Sequence, residues 1–126
     1  MAAERKTIIL VDDNRTNLTA GKDILKAHYK TFPVPSAALM FELLDNVQPD
    51  LILLDIEMPE MDGYQAMQKL KAESKWQDIP VMFITARGGE ENRAEGLALG
   101  AVDYVVKPFS ASQMLKLIAD FFNQQR

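Results

Sequence analysis

The chain has no cysteine and a single histidine among its 126 residues. The first absence excludes disulfides, thiolate metal sites and cysteine nucleophiles, and it suits a reducing compartment. No apolar stretch approaches the roughly 20 residues needed to cross a bilayer. Residues 1–6 carry no signal-peptide core, so a cytoplasmic location and no membrane contact are expected. Basic runs are missing too: 14 Lys and Arg stand against 18 Asp and Glu, for a net charge of −4. Binding a phosphate backbone requires clustered Lys and Arg, so nucleic acid is not expected as a direct ligand, and proteins and small ions are. Repeats, linkers and low-complexity segments are also lacking. The chain is expected to form one domain over 1–126, long enough to bury roughly two thirds of its unfolded surface.

What is present is an alternation. Apolar runs of four or five residues alternate with stretches of helical period, the pattern of repeated βα units around a parallel sheet. The first strand is predicted over 7–11 and the first helix over 15–27, with Leu18, Gly21, Ile24 and Leu25 on one face. A second strand over 30–34 contains Pro33, which cannot donate to a ladder and therefore belongs at a sheet edge. Ser36 caps a helix carrying Met40, Leu43, Leu44 and Val47, which Pro49 is expected to stop. Leu51 to Leu54 is apolar on both alternating faces, as in a strand covered by helices on both sides. This strand should be the middle of the sheet. A loop with Pro59 and Asp62-Gly63 leads to a helix ending near residue 74, and a fourth strand follows Pro80. The helix over 90–99 is only weakly amphipathic, and Gly100 fits its C-terminal cap. The last strand is 103–106, and Ser110 with Gln113 forms a capping box for a helix with Met114, Leu117, Ile118 and Phe121 as its core stripe.

Four of the strands run directly into polar residues: Asp12-Asp13, Asp55, Thr85 and Lys107-Pro108. In an open parallel sheet the ligand crevice lies outside the carboxyl ends of the strands, so these side chains should converge. Clustered carboxylates repel one another and raise the pKa of some members unless a cation sits among them. Oxygen ligation by Asp12, Asp13 and Asp55, with a backbone carbonyl and waters, suits Mg²⁺ or Mn²⁺; the lone His28 offers little to zinc. With a metal present, one carboxylate could attack a phosphoryl group. Lys107 and the cation would then neutralise its oxygens, and Thr85 would donate to one of them.

Taken together these residues resemble the receiver domain of two-component response regulators, the CheY-like superfamily, over essentially the whole sequence. The matching features are Asp12-Asp13, Asp55 within Leu54-Asp55-Ile56-Glu57-Met58-Pro59-Glu60-Met61-Asp62-Gly63, Thr85-Ala86, and Tyr104-Val105-Val106-Lys107-Pro108-Phe109. The resemblance implies a doubly wound, flavodoxin-like α/β sandwich with strand order 2-1-3-4-5. It implies that Asp55 accepts a phosphoryl group from a histidine kinase, a histidine phosphotransfer protein or a small acyl-phosphate donor. Asp13, Asp55 and the Glu57 carbonyl would hold Mg²⁺ directly and Asp12 through water, and a cis peptide would precede Pro108.

The same resemblance implies a switch. Phosphoryl oxygens would draw Thr85 inward, Tyr104 would rotate into the space, and the face of the fourth helix, fifth strand and fifth helix would change shape. Glu57 and Arg87, two residues after the acceptor and two after Thr85, are expected to pair across the site mouth and slow hydrolysis. Downstream, an output protein or fused output domain is expected, with the receiver monomeric or dimerising on phosphorylation. Val102 stands where one large DNA-binding subfamily carries Asp for an intersubunit ion pair. Rival readings fit less well. An aspartyl phosphatase would need a second Asp two positions after the first, where Asn14 or Arg15 stands, and Gly21-Lys22-Asp23 is no P-loop. A flavin module has no use for three acidic residues, and a phosphorylation-independent interaction module would not need so complete a site.

Overall fold

The computed structural model describes residues 5–86, 90–107 and 110–124. In these residues the order is β1 (Thr7–Val11), α1 (Arg15–Leu25), β2 (Lys30–Val34), α2 (Ala37–Leu44), β3 (Leu51–Asp55), α3 (Gly63–Ala72), β4 (Val81–Thr85), α4 (Glu90–Ala98), β5 (Asp103–Val106) and α5 (Ala111–Gln124). The strands form one parallel sheet in the order β2-β1-β3-β4-β5. This is the expected topology, with Pro33 on an edge strand and β3 in the centre, all five of its residues buried.

Alternation along each strand divides the apolar side chains between two cores. Ile9, Val11, Ile52, Leu54 and Phe83 pack with Met40 and Phe41 of α2 and Met67 and Leu70 of α3. Ile8, Leu10, Leu51, Leu53, Met82 and Ile84 pack on the other face with Leu25 of α1 and Met114 and Ile118 of α5. A period of two in the strands thus meets a period near 3.6 in the helices on both sides of the sheet.

Helix ends follow their caps more closely than the apolar periodicity alone. Asn14 accepts from the Asn17 N–H at 3.0 Å and starts α1, and Ser36 accepts from Leu39 to start α2. Asp62 and Gln65 form a reciprocal capping box at the start of α3, so Asp62, expected as a turn residue, is also the helix cap. Ser110 and Gln113 form the predicted box on α5. Four helices are shorter than predicted, α4 by a single residue at Ala98. α1 stops at Leu25 and α3 at Ala72, and α2 stops at Leu44 rather than running to Pro49. The α2 difference has a local cause: Asp50 is tied into the sheet, donating its N–H to the Thr7 carbonyl at 2.8 Å and accepting from the Thr7 N–H at 2.7 Å. The chain must leave the helix early to reach it. Gly100 has φ +103°, the left-handed cap expected after α4. No helix among the described residues is long and apolar enough to cross a membrane.

Candidate functional site at the carboxyl ends of the strands

The chain direction is the same in every strand, so the carboxyl ends of β1, β3, β4 and β5 lie along one edge of the sheet. Val11 pairs with Leu54, Asp55 with Ile84, and Thr85 with Val106. This register brings Asp12 beside Asp55 and sets Thr85 one residue beyond the partner of Asp55. Asp12, Asp55 and Thr85 are the buried polar residues of the site, at 2, 2 and 1 % exposure, whereas Asp13 is exposed. Carboxylate oxygens of Asp12, Asp13 and Asp55 lie within 4.8 Å of one another.

Lys107 reaches into this cluster from the end of β5. Its Nζ lies 2.9 Å from Asp12 Oδ2 and 3.4 Å from Asp55 Oδ1. The Lys107 N–H donates to the Thr85 carbonyl at 2.7 Å, anchoring the residue that carries the ammonium. Asp12 is fixed by the turn into α1, where its Oδ1 accepts from the Asn14 N–H at 2.9 Å. Asp55 Oδ1 accepts from the Glu57 N–H at 3.4 Å. The loop after Asp55 is pressed against the strand by α3. The Gly63 N–H donates to the Ile56 carbonyl, and a Cβ at position 63 would stand 2.5 Å from the Asp55 carbonyl oxygen. Only glycine permits that approach.

Burial, reinforced by the charge of Asp12, pushes the Asp55 carboxyl up from 3.8 to about 7, although Lys107 and the Glu57 N–H pull against the rise. For Lys107 the balance is reversed. Burial pulls the ammonium down, but its hydrogen bond to Asp12 and the charges of Asp55 and Asp12 outweigh this and raise its pKa. The cluster therefore attracts positive charge. Three carboxylates with exclusively oxygen donors fit a hard divalent cation such as Mg²⁺. Asp12 Oδ2 and Asp55 Oδ1 both face the Lys107 ammonium, whereas Asp13 is exposed.

Thr85 and Glu57 meet on the other side of Asp55. The Thr85 hydroxyl donates to Glu57 Oε1 at 2.8 Å, and the Ala86 N–H donates to the same oxygen at 3.1 Å. The acidic residue expected to act at the site mouth thus bridges the loop after β3 to the end of β4. Arg87, its expected partner, lies outside the described residues, as do Pro108 with its expected cis peptide and Phe109.

Tyr104 is buried, packed near Phe83, and lies beside Tyr64 of α3. Burial and this neighbour hold the Tyr64 phenol up at about 12. A Cβ at position 96 would approach Phe83 to 3.0 Å and the Tyr104 ring to 3.2 Å, so α4 leaves just enough space for the inward ring. Sequence reasoning overlooked Tyr64 and the Ala86 N–H. Tyr64 follows the Asp-Gly pair closely enough to have been sought, while a backbone donor leaves no mark in a sequence.

The chain is similar to known proteins. The family model of the response regulator receiver domain matches residues 8–119. The chain is 39 % identical over 104 residues to a probable cyclic di-GMP phosphodiesterase of Vibrio cholerae, covering 82 % of this chain and 24 % of that protein. It is 49 % identical over 75 residues to the phosphate regulon transcriptional regulatory protein PhoB of Escherichia coli, covering 60 % of this chain and 33 % of that protein. The chain thus spans about a quarter to a third of the length of these relatives. Among solved structures, chemotaxis protein CheY4 of Vibrio cholerae superposes with a TM-score of 0.86 at 24 % identity, covering 92 % of this chain and 98 % of that one.

Proposed function

The chain belongs to the response-regulator receiver domain family, and we propose that it is a phosphorylation-activated switch whose acceptor is Asp55. The observation that carries this reading is the placement of Asp55, buried at a strand end with Lys107 and two further carboxylates around it. The donor would be the phosphohistidine of a histidine kinase or histidine phosphotransfer protein. An Asp55 oxygen attacks phosphorus, the P–N bond breaks, the imidazole nitrogen keeps the electron pair, and an acyl phosphate remains on Asp55.

Each residue has a definite part in that step. Asp55 must be ionised to attack, and Lys107, 3.4 Å away, favours the ionised form while offering its charge to the phosphoryl oxygens. Asp12, 2.9 Å from the ammonium, holds Lys107 in place. Asp13 and Asp55, with the Glu57 carbonyl, would hold Mg²⁺, and Mn²⁺ would be accepted by the same oxygens. Held there, the cation would supply charge neutralisation for the carboxylates and the phosphoryl oxygens. Exclusion of bulk water by the buried strand ends strengthens each of these interactions.

The output would follow from Thr85. A phosphoryl oxygen that takes its hydroxyl biases the chain only through contacts that differ between the two states. Tyr104 and the face formed by α4, β5 and α5 would report the change to an output protein or fused output domain. Glu57 with Arg87 would set the lifetime of the phosphoryl group.

Intact-protein mass after incubation with acetyl phosphate tests the acceptor. A Mg²⁺-dependent phosphoryl adduct that is absent from Asp55→Asn is the expected result. No adduct with acetyl phosphate or with a histidine kinase would instead favour a phosphorylation-independent interaction module.

A further inference from the structure

A single oxygen, Glu57 Oε1, accepts from both the Thr85 hydroxyl at 2.8 Å and the Ala86 N–H at 3.1 Å. Those donors end the strand next to Asp55, and Glu57 is tied to Asp55 through its own N–H. Two donors converging on one anionic oxygen form a small anion seat, and the Glu57 carboxylate occupies it. We propose that Glu57 is a built-in competitor of the phosphoryl group: its carboxylate holds the Thr85 and Ala86 donors until a phosphoryl group on Asp55 displaces it. This inference rests on the reading of Asp55 as acceptor and adds a threshold to it.

Three physical points support the competition. Hydrogen bonds to a carboxylate are roughly twice as strong as those between neutral groups, so giving up the seat has a cost. A phosphoryl group on Asp55 brings negative charge toward a site already holding a carboxylate, and like charges at short range disfavour joint occupancy. Thr85 is almost fully buried, so its hydroxyl cannot turn to bulk water while both anions wait for it. The Glu57 carboxylate therefore holds the chain in its unphosphorylated arrangement, and the apparent affinity for a phosphoryl group is lowered by the fraction of chains that have released it. Replacing the side chain leaves the Glu57 carbonyl in place. This effect is separate from the lifetime role assigned to Glu57 with Arg87, since it acts on formation of the switched state rather than on hydrolysis.

Titration of the native chain and of Glu57→Ala and Glu57→Gln with beryllofluoride at saturating Mg²⁺ tests the proposal. Glu57→Ala should bind about tenfold more tightly, the loss of roughly one charge-assisted hydrogen bond, and Glu57→Gln should fall between. In a Thr85→Ala background the gain from Glu57→Ala should shrink, because half of the seat is already gone. In the Mg²⁺-free proteins, the Ala86 amide proton should move upfield from native to Gln to Ala. Unchanged or weaker analogue binding in Glu57→Ala, or an Ala86 resonance indifferent to the substitution, overturns the competition while leaving Asp55 as acceptor intact. A native chain that binds no beryllofluoride overturns both readings.

Discussion

Lys107 sits closer to Asp12 than to Asp55, with its Nζ 2.9 Å from the first carboxylate and 3.4 Å from the second. The lysine is therefore shared, with its stronger tie to the residue that is not the proposed acceptor. Asp12 is itself pinned by the Asn14 N–H, so the ammonium is steered by the turn into α1 as much as by β5. Asp55 keeps the weaker contact, the one an incoming phosphoryl oxygen can replace.

Removing that ammonium should destabilise the chain in a pH-dependent way. Lys107→Ala leaves two buried carboxylates side by side, and breaking a buried ion pair costs about 3 kcal/mol when the remaining group stays charged. At pH 8 the full cost is expected. At pH 5 Asp55 takes up a proton, which removes the repulsion between the two carboxylates, and the loss should be smaller by about 1 kcal/mol. Urea unfolding at the two pH values checks this, and an equal loss at both would show that the lysine does not control the ionisation of Asp55.

Asp55 imposes its own pH dependence on the Mg²⁺-free chain. Its carboxyl lies at about 7 when folded against 3.8 ordinarily, so between these values the folded state binds more protons than the unfolded state. The stability it contributes is complete below the lower value and is lost as pH rises through the upper one. Asp55→Asn should remove this part of the profile and leave the variant more stable than the native chain at pH 8, by about 1–3 kcal/mol. Mg²⁺ should narrow the gap, since a cation at about 100 times its dissociation constant stabilises the native fold by about 2.7 kcal/mol. Thermal unfolding from pH 4 to 8, with chelator and with Mg²⁺, measures both effects.

Glu60 has φ +68° in the loop between Asp55 and α3. A residue with a Cβ loses about 1–2 kcal/mol in that conformation, and glycine avoids the cost while giving back part of it as chain entropy. Glu60→Gly should therefore raise stability by about 0.5–1 kcal/mol, read as a higher urea midpoint with an unchanged slope.

Gly63 makes the opposite prediction. A methyl group there would meet the Asp55 carbonyl oxygen at 2.5 Å and the Ile56 Cα at 2.7 Å, both backbone atoms that cannot turn aside. Gly63→Ala should cost about 2–4 kcal/mol despite the better helix propensity of alanine. It should also slow adduct formation on Asp55, because the clash is relieved by moving the acceptor strand. Denaturant unfolding and the mass measurement report the two effects separately.

The fold was legible because its signals are redundant. Apolar runs of strand length, Pro33 at an edge and the doubly buried β3 each point to the same sheet order. The strand-end residues were legible for the same reason, since topology alone brings Asp12, Asp55, Thr85 and Lys107 together. Helix ends were read less well where tertiary ties override periodicity, as at α2, which Asp50 cuts short. The contact of the Glu57 carboxylate with Thr85 was not legible at all. It depends on a side-chain rotamer and on a backbone N–H at Ala86, neither of which has a sequence signature. The inward Tyr104 ring likewise depends on space left at Gly96, a residue whose pattern says only that the helix is weak there.

The division of each strand between two cores has a consequence for how such a chain can diversify. Asp55 continues the alternation of Leu51 and Leu53, whose face packs on α1 and α5, whereas Thr85 continues that of Val81 and Phe83, whose face packs on α2 and α3. The two residues proposed to exchange the signal thus belong to opposite layers and meet only at the rim. Either layer can accumulate apolar exchanges of similar volume without repacking the other, so the surfaces of the two layers are free to acquire new partners at different rates while the chemistry at the rim is kept.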